Sequence, residues 1–264
     1  MATATFNPFE PGFADNPYDQ YASIRAQGRT ERTVFGTLLL SHYDDCFHLL
    51  RLPGTSVDDR NATNVFRYQP PEDIAQRMAG RDERRSILGL DPPDHTRLRR
   101  LVSSAFTVRR VEQLRGRVRE LVAGLLGDLE DAAGGAEPVD LIARYAFPLP
   151  FMVISELLGM PEGNRNELRG WSHTMTMSLE PYLDDDSARA VVGAADNMVR
   201  HVDEAIEWKR QNPADDLLSA MISTTDEDGD RMTAEELQIQ VILLYLAGHE
   251  TTVNLIGNGT LALL

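Results

Sequence analysis

The sequence predicts a mainly α-helical chain with a small β-hairpin region near its N-terminus. Apolar residues recur at intervals of three and four along most of the chain, and this spacing places them on one face of a helix. The most apolar segment, Leu237 to Leu264, is predicted to be a single helix of about 40 Å at 1.5 Å per residue. By contrast, Arg32 to Leu40 is rich in Thr, Val, Phe and Leu around Gly36, which favours two short strands and a tight turn.

Capping residues, prolines and glycines mark the first two helices. Asn16-Pro17 is typical of a helix start, and Gly28 is a suitable stop. Ser41 and Asp44 begin the next helix, which Pro53-Gly54 ends.

A long connection, Arg51 to Leu90, has little periodicity and is predicted to be irregular with one helical turn. Connections of this length are unusual unless they have a role, such as forming one wall of a binding site. Asp91-Pro92-Pro93-Asp94 then breaks the chain, and Asp94 is predicted to cap the next helix. Further helices are predicted at Val108–Leu129, Val139–Met160 (closed by Pro161), Glu162–Met177, Asp186–Arg210 and Pro213–Ser223.

The last helix begins with a capping box formed by Thr233 and Glu236. It has no stop signal at Leu264, where a free carboxylate and unpaired carbonyls would lie in apolar surroundings. We therefore expect residues 1–264 to be a single incomplete domain of a longer protein.

Composition and charge restrict the partners. The chain has 26 Lys and Arg against 41 Asp and Glu, a net charge of −15, which argues against binding nucleic acid or anionic membranes. Its one cysteine, Cys46, cannot form an internal disulfide and suits the cytosol. The apolar run from Val241 meets His249 and Glu250 too soon to span a membrane. We expect a cytoplasmic monomer that binds small molecules.

A polar cluster, Ala247 to Thr252, interrupts the apolar final helix. Burying a carboxylate costs several kcal/mol unless it is paired, solvated or protonated, so Glu250 needs a reason to be there. Gly248 permits close approach, and the Thr251 hydroxyl is able to bond back to the Ala247 carbonyl and bend the helix. The sequence therefore predicts a notch with an acid beside an alcohol, as in a proton relay or a small-ligand site.

An ordinary alternative is a helix with one wet face, on which His249, Glu250 and Asn254 point to solvent. A zinc protease is excluded, because position 253 is Val where that motif has its second histidine.

Four motifs in order resemble the cytochrome P450 monooxygenases, the haem-thiolate family. The run Ala247-Gly248-His249-Glu250-Thr251-Thr252 is similar to the A-G-x-E/D-T-T signature of the family's long central helix. Asp91 to Arg100, which reads DPPDHTRLRR, resembles a run in the soluble bacterial members. Phe106 to Arg110 and Pro148 to Pro161 agree as well, so the resemblance covers most of the chain from Asn16.

The resemblance implies a haem b cofactor and an oxygenase activity. His95 and Arg99 would reach the haem propionates, and Ala247 and Gly248 would lie against the haem. The catalytic residues would be Glu250 and Thr251, Thr251 bonding the bound O2 species and Glu250 helping to deliver protons through water. The complete protein would hydroxylate or epoxidise an apolar small molecule, taking electrons from NAD(P)H through a ferredoxin.

Substrate and partner surfaces follow from the same resemblance. The substrate pocket would be walled by Ile87, Leu88, Leu243 and Ala247, for which ordinary core packing is the alternative. An acidic ferredoxin would dock near a basic patch formed by Arg97, Arg100, Arg109 and Arg110. His95 and Arg99 have the alternative of belonging to a plain surface cluster.

The family's ligand motif, F-x-x-G-x-x-x-C-x-G, is not found around Cys46, where positions 39, 42 and 48 are Leu, His and His. We therefore expect no metal ligand in this chain and no activity from it alone. The alternative is a non-catalytic helical binding or regulatory module that keeps the cytochrome P450 architecture.

Overall fold

The computed structural model describes residues 6–13, 15–33, 36–61, 70–78, 85–135, 138–160, 165–179, 183–225 and 229–264. The chain divides into two compact units, residues 1–69 and residues 70–264. The single domain expected from the sequence stays a prediction.

The first unit contains the predicted hairpin. Its elements are α1 (Tyr18–Gln27), β1 (Thr30–Arg32), β2 (Leu38–Leu40) and α2 (Tyr43–Leu49). β1 pairs antiparallel with β2, and Thr30 lies opposite Leu40. Gly36 has a φ of 77°, in the left-handed region that glycine adopts readily, and its N–H donates to the Thr33 carbonyl at 2.9 Å. The Cys46 thiol on α2 donates to the Leu40 carbonyl at 3.5 Å.

The second unit is helical over its described residues. Its helices are α3 (Glu72–Met78), α4 (Asp94–Ala105), α5 (Val108–Ala133), α6 (Pro148–Leu158), α7 (Arg165–Thr176), α8 (Asp185–Gln211), α9 (Leu217–Ser223) and α10 (Ala234–Leu263). Short 3-10 turns occupy Ile87–Gly89 and Met177–Leu179. The mainly α-helical class with a small sheet is confirmed.

Several boundaries differ from the sequence prediction. Helix α2 ends at Leu49, before Pro53-Gly54, and α9 begins at Leu217 rather than at Pro213. The connection 51–90, expected to hold one helical turn, contains the seven-residue α3.

Asp94 is the first residue of α4 rather than its cap, because the backbone of Pro93 is already helical, with φ −86° and ψ −19°. The single helix predicted for Val139–Met160 is two elements: a π-helical turn at Ile142–Ala146 precedes α6. Pro148 begins α6 because it has no N–H to donate to the preceding turn. Pro161 lies outside the described residues.

Helix α10 begins with the predicted capping box, in which Thr233 and Glu236 bond each other's backbone N–H. It packs against α6, α7 and α8. Apolar side chains from these helices, with parts of α4 and α9, form the core; its fully buried members include Leu158, Met198, Val202, Leu217, Leu218, Val241 and Tyr245.

By length and composition, α10 is long and apolar enough to cross a membrane. This is weak evidence, because the core helix of a soluble protein passes the same test, and 33% of the apolar window of α10 is buried inside the protein.

Candidate functional site

The polar cluster of α10 contains two back-bonded threonines. The Thr251 hydroxyl donates to the Ala247 carbonyl at 2.6 Å, and the Thr252 hydroxyl donates to the Gly248 carbonyl at 3.3 Å. The first of these bonds is the one that the sequence predicts. The helix remains α-helical through the cluster, and Ala247, Gly248 and Thr251 are exposed. A strip of small and hydroxyl-bearing residues is therefore open along a helix that is otherwise largely apolar.

Gly248 allows α6 to approach α10 closely. A Cβ built at this position would lie 2.9 Å from Cδ1 of Ile154, closer than real Cβ contacts. Ile154 is buried on α6. The close approach that the glycine permits is therefore confirmed for a neighbouring helix.

His249 is fully buried and packs on aromatic rings. Its ring meets Phe147 edge-on at 4.5 Å between centroids and Phe151 at 5.8 Å. Neither ring nitrogen has a hydrogen-bond partner among the described residues. Burial, and then the positive charge of Arg169, lower the pKa of His249 to about 4. The imidazole is therefore neutral at pH 7, and the wet-face interpretation is wrong for this residue.

Glu250 borders a cavity of about 360 Å³ between α10 and α7. Its Oε1 lies 3.8 Å from Nδ1 of His173, and its Oε2 lies 3.9 Å from Nδ1 of His249. The carboxylate is 21% exposed, so water reaches it. The cavity is lined by Ile142, Phe147, Asn166, Arg169, Gly170, His173, Glu250, Val253 and Asn254.

Arg169 and His173 are cavity residues that sequence reasoning missed. They are four residues apart on α7, a spacing that places both on one helix face. Arg169 stacks on the Phe147 ring with its guanidinium carbon 4.2 Å from the centroid. The spacing was visible in the sequence, but the pairing of α7 with α10 was not.

His95 and Arg99 lie one turn apart on α4, as predicted from the sequence. His95 is half-buried and Arg99 is exposed, and among the described residues neither side chain has a hydrogen-bond or ion-pair partner. Neither residue lines the cavity beside Glu250.

The predicted substrate wall is joined to α10 by a residue that the sequence analysis missed. Gln240 accepts the backbone N–H of Ile87 at 3.0 Å through its Oε1. Leu243 lies one turn further along α10 and is half-buried, whereas Leu88 is 67% exposed. The sequence feature that could have identified Gln240 is its neutral polar side chain in the apolar part of the final helix.

Arg97 and Arg110 of the predicted basic patch form ion pairs. Arg97 pairs with Asp230 at 3.1 Å and also with Glu236. Arg110 pairs with Asp215 at 3.2 Å. The other two, Arg100 and Arg109, are exposed.

Residues 60–264 match the Cytochrome P450 family. The chain is 40% identical over 259 residues to the vitamin D(3) 25-hydroxylase of Pseudonocardia autotrophica, covering 97% of this chain and 60% of that protein. It is 43% identical over 256 residues to the cytochrome P450 monooxygenase PikC of Streptomyces venezuelae, covering 96% of this chain and 57% of PikC.

Among solved structures, the cytochrome P450 PksS of Bacillus subtilis superposes with a TM-score of 0.79 at 32% identity, over 98% of this chain and 62% of that one. The chain spans about 60% of the length of these relatives. The family match covers more than half of the chain, and the relatives agree with it along nearly its whole length. The chain belongs to the cytochrome P450 family.

Proposed function

We propose that the complete protein is a haem-dependent monooxygenase that uses O2 to hydroxylate or epoxidise an apolar small molecule. The observation that carries this proposal is the exposed Thr251 hydroxyl, one residue from the partly exposed carboxylate of Glu250. An exposed alcohol on the open strip of a core helix, with a partly exposed acid at the adjacent position, is suited to moving protons at a bound cofactor.

The described residues fit a haem. Ala247 and Gly248 have almost no side chain and are exposed, so a flat apolar ring is able to lie against the backbone of α10 at these positions. The unpartnered side chains of His95 and Arg99 share a face of α4 and are suitable donors for propionate carboxylates. In this proposal the thiolate ligand comes from outside these 264 residues.

Haem, when bound, supplies the redox chemistry by which O2 is reduced and cleaved and a substrate bond is oxidised. Thr251 would hold a proton at its hydroxyl, on the exposed side of α10 where the haem would bind. Its hydroxyl donates to the Ala247 carbonyl, so the lone pairs of this oxygen on an exposed residue remain able to accept a proton.

Glu250 has the role of bringing protons to this side of α10. Its carboxylate borders a cavity that admits water and that also contains His173, which is 75% exposed. A proton passing from solvent through this cavity would reach Glu250 one residue from Thr251. We propose that Glu250 alternates between accepting protons from the cavity and giving them up toward Thr251.

The proposed substrate is apolar. Ile87, Leu88, Leu243 and Ala247 are its proposed wall, all aliphatic side chains. Related proteins carry names that fit such a substrate, including the 6-deoxyerythronolide B hydroxylase of Saccharopolyspora erythraea, 45% identical over 174 residues. We propose a polyketide lactone or a similarly apolar molecule.

Electrons are proposed to come from NAD(P)H through an acidic ferredoxin. Arg109 supports this docking site best, because it is exposed, whereas Arg97 and Arg110 are in ion pairs. We further propose that the protein is a cytoplasmic monomer.

The spectrum of the complete protein, reduced and treated with CO, tests the proposed function. We expect the red-shifted absorption band of thiolate-ligated haem. A protein that binds no haem, or that binds it without this band, would favour the non-catalytic helical module.

A further inference from the structure

Gln240 holds a backbone segment that belongs to the proposed substrate wall. The residue is fully buried on α10, where an unpaired amide would be costly. Its Oε1 accepts the Ile87 N–H at 3.0 Å, and its Nε2 donates to the Arg85 carbonyl at 3.5 Å. The oxygen and the nitrogen of the amide therefore both bind the same short backbone segment. Ile87, in this segment, precedes Gln240 by 153 residues in the sequence.

The segment that Gln240 binds, residues 85–89, is also held together by hydrogen bonds of its own. Ser86 caps the 3-10 turn Ile87–Gly89 by accepting the Leu88 N–H at 3.4 Å. Arg85 donates to the Gly89 carbonyl at 3.4 Å. The turn is thus an ordered unit, and Gln240 is the side chain on α10 that attaches its backbone.

Gln240 lies on the same side of α10 as the proposed reaction site. Gln240, Leu243, Ala247 and Thr251 follow one another at separations of three, four and four residues, which keeps them on one helix face. The distance along the axis from Gln240 to Thr251 is roughly 16 Å at 1.5 Å per residue. Exposure increases along this row, from a buried Gln240 to an exposed Thr251.

We propose that Gln240 is a positioning residue that sets which substrates fit, because its amide fixes how far Ile87 and Leu88 stand from the Leu243 side of α10. This rests on the proposed function of the same site. The hydrogen bonds are directional, so they hold the turn at one distance, whereas an apolar contact would let it slide. Without the amide, the Ile87 N–H and the Arg85 carbonyl would have to bond to water, and the segment that carries Ile87 and Leu88 would move away from α10.

The chain offers a matched control in Gln238. This residue is also a buried glutamine on α10, but its amide donates to Asp203 on α8, away from the turn. Gln240→Met and Gln238→Met each replace one buried amide by an apolar side chain of similar length. Any general loss of packing or stability is therefore present in both variants.

Two measurements on the complete protein test the proposal. In hydrogen exchange, we expect the Ile87 amide to exchange about tenfold or more faster in Gln240→Met and to be unchanged in Gln238→Met. In binding, we expect the ratio of dissociation constants for myristic acid and 6-deoxyerythronolide B to change by about fivefold or more in Gln240→Met only.

Equal exchange in the two variants would overturn the attachment of the turn. Faster exchange with an unchanged ratio, or a wild-type protein that binds neither probe, would overturn the role in selectivity. The exchange measurement needs no haem or turnover. A protein that lacks the CO band but shows faster exchange in Gln240→Met alone would therefore reject the proposed function and not the attachment.

Discussion

Thr251 donates its hydroxyl to the carbonyl of Ala247 at 2.6 Å, one helical turn earlier on α10. Thr260 makes the same type of bond to the Ile256 carbonyl at 2.8 Å, two turns further along. The back-bond itself is therefore not a mark of function. Thr251 differs in its exposed position beside Glu250, and this difference allows its role to be tested.

Thr251→Ala in the complete protein is expected to divert reducing equivalents from product to peroxide, because the proton-holding hydroxyl is lost. Product formed per NAD(P)H consumed should fall by about tenfold or more. The control is Thr260→Ala, which removes an equivalent back-bond and should leave the coupling unchanged. Equal coupling in wild type and Thr251→Ala would remove Thr251 from the mechanism.

Arg99→Ala is expected to weaken haem retention, since a charge-assisted hydrogen bond to a carboxylate is worth about 1.5–3 kcal/mol. The rate of haem transfer to excess apomyoglobin should rise about tenfold. Arg119→Ala removes another exposed arginine, on α5, and serves as the control. Identical transfer rates in the two variants would support the plain surface cluster.

His249 predicts a specific dependence of stability on pH. Its pKa is lowered from 6.5 to about 4 in the folded protein, so between these values the unfolded chain binds a proton that the folded protein does not. The free energy of unfolding should therefore decrease as the pH falls from 6.5 to 4, by about 3 kcal/mol from this group. The nearby charged groups are Arg169 and Glu250.

Urea unfolding of wild type and His249→Phe at several pH values measures this contribution, because groups common to both proteins cancel in the difference. The variant should lose less stability in acid than the wild type. Parallel pH profiles would show that His249 is protonated in the folded state or reached by water.

Gly248→Ala is expected to destabilise the protein by about 1–2 kcal/mol, because the new methyl group meets Cδ1 of buried Ile154. The second substitution Ile154→Val removes that atom, so the double variant should recover part of the loss in urea unfolding. Gly259→Ala, on the same helix with open space around it, should instead stabilise by about 0.5–1 kcal/mol. Additive effects of the Gly248 and Ile154 substitutions would contradict the close contact.

Arg109→Glu is expected to slow electron transfer from an acidic ferredoxin about tenfold at low salt, with little effect at high salt, since steering between opposite charges is screened by ions. Arg200→Glu on α8 makes the same charge change at another exposed site and serves as the control. Equal slowing by both variants would show that net charge matters and the proposed docking site does not.

Local interactions explain why much of the fold was predictable. The capping box of Thr233 with Glu236 and the back-bond from Thr251 to Ala247 join residues three and four apart, so they form whenever the segment is helical. The conformation of Gly36 in the hairpin, with a φ of 77°, likewise follows from the backbone preference of a single residue.

The environment of each side chain was decided by the tertiary structure. His249 looks like a solvent-facing residue until Phe147 and Phe151 of α6 enclose it. The partners of Gln240 are 153 and 155 residues away. Burial, pKa and hydrogen-bond partners depend on which helices pack together, and packing is the sum of many weak contacts between distant segments. The sequence by itself therefore determined the helical class and which helix carries the acid and the alcohol. Only the packing of α6, α7 and residues 85–89 on α10 decided what the side chains of α10 touch.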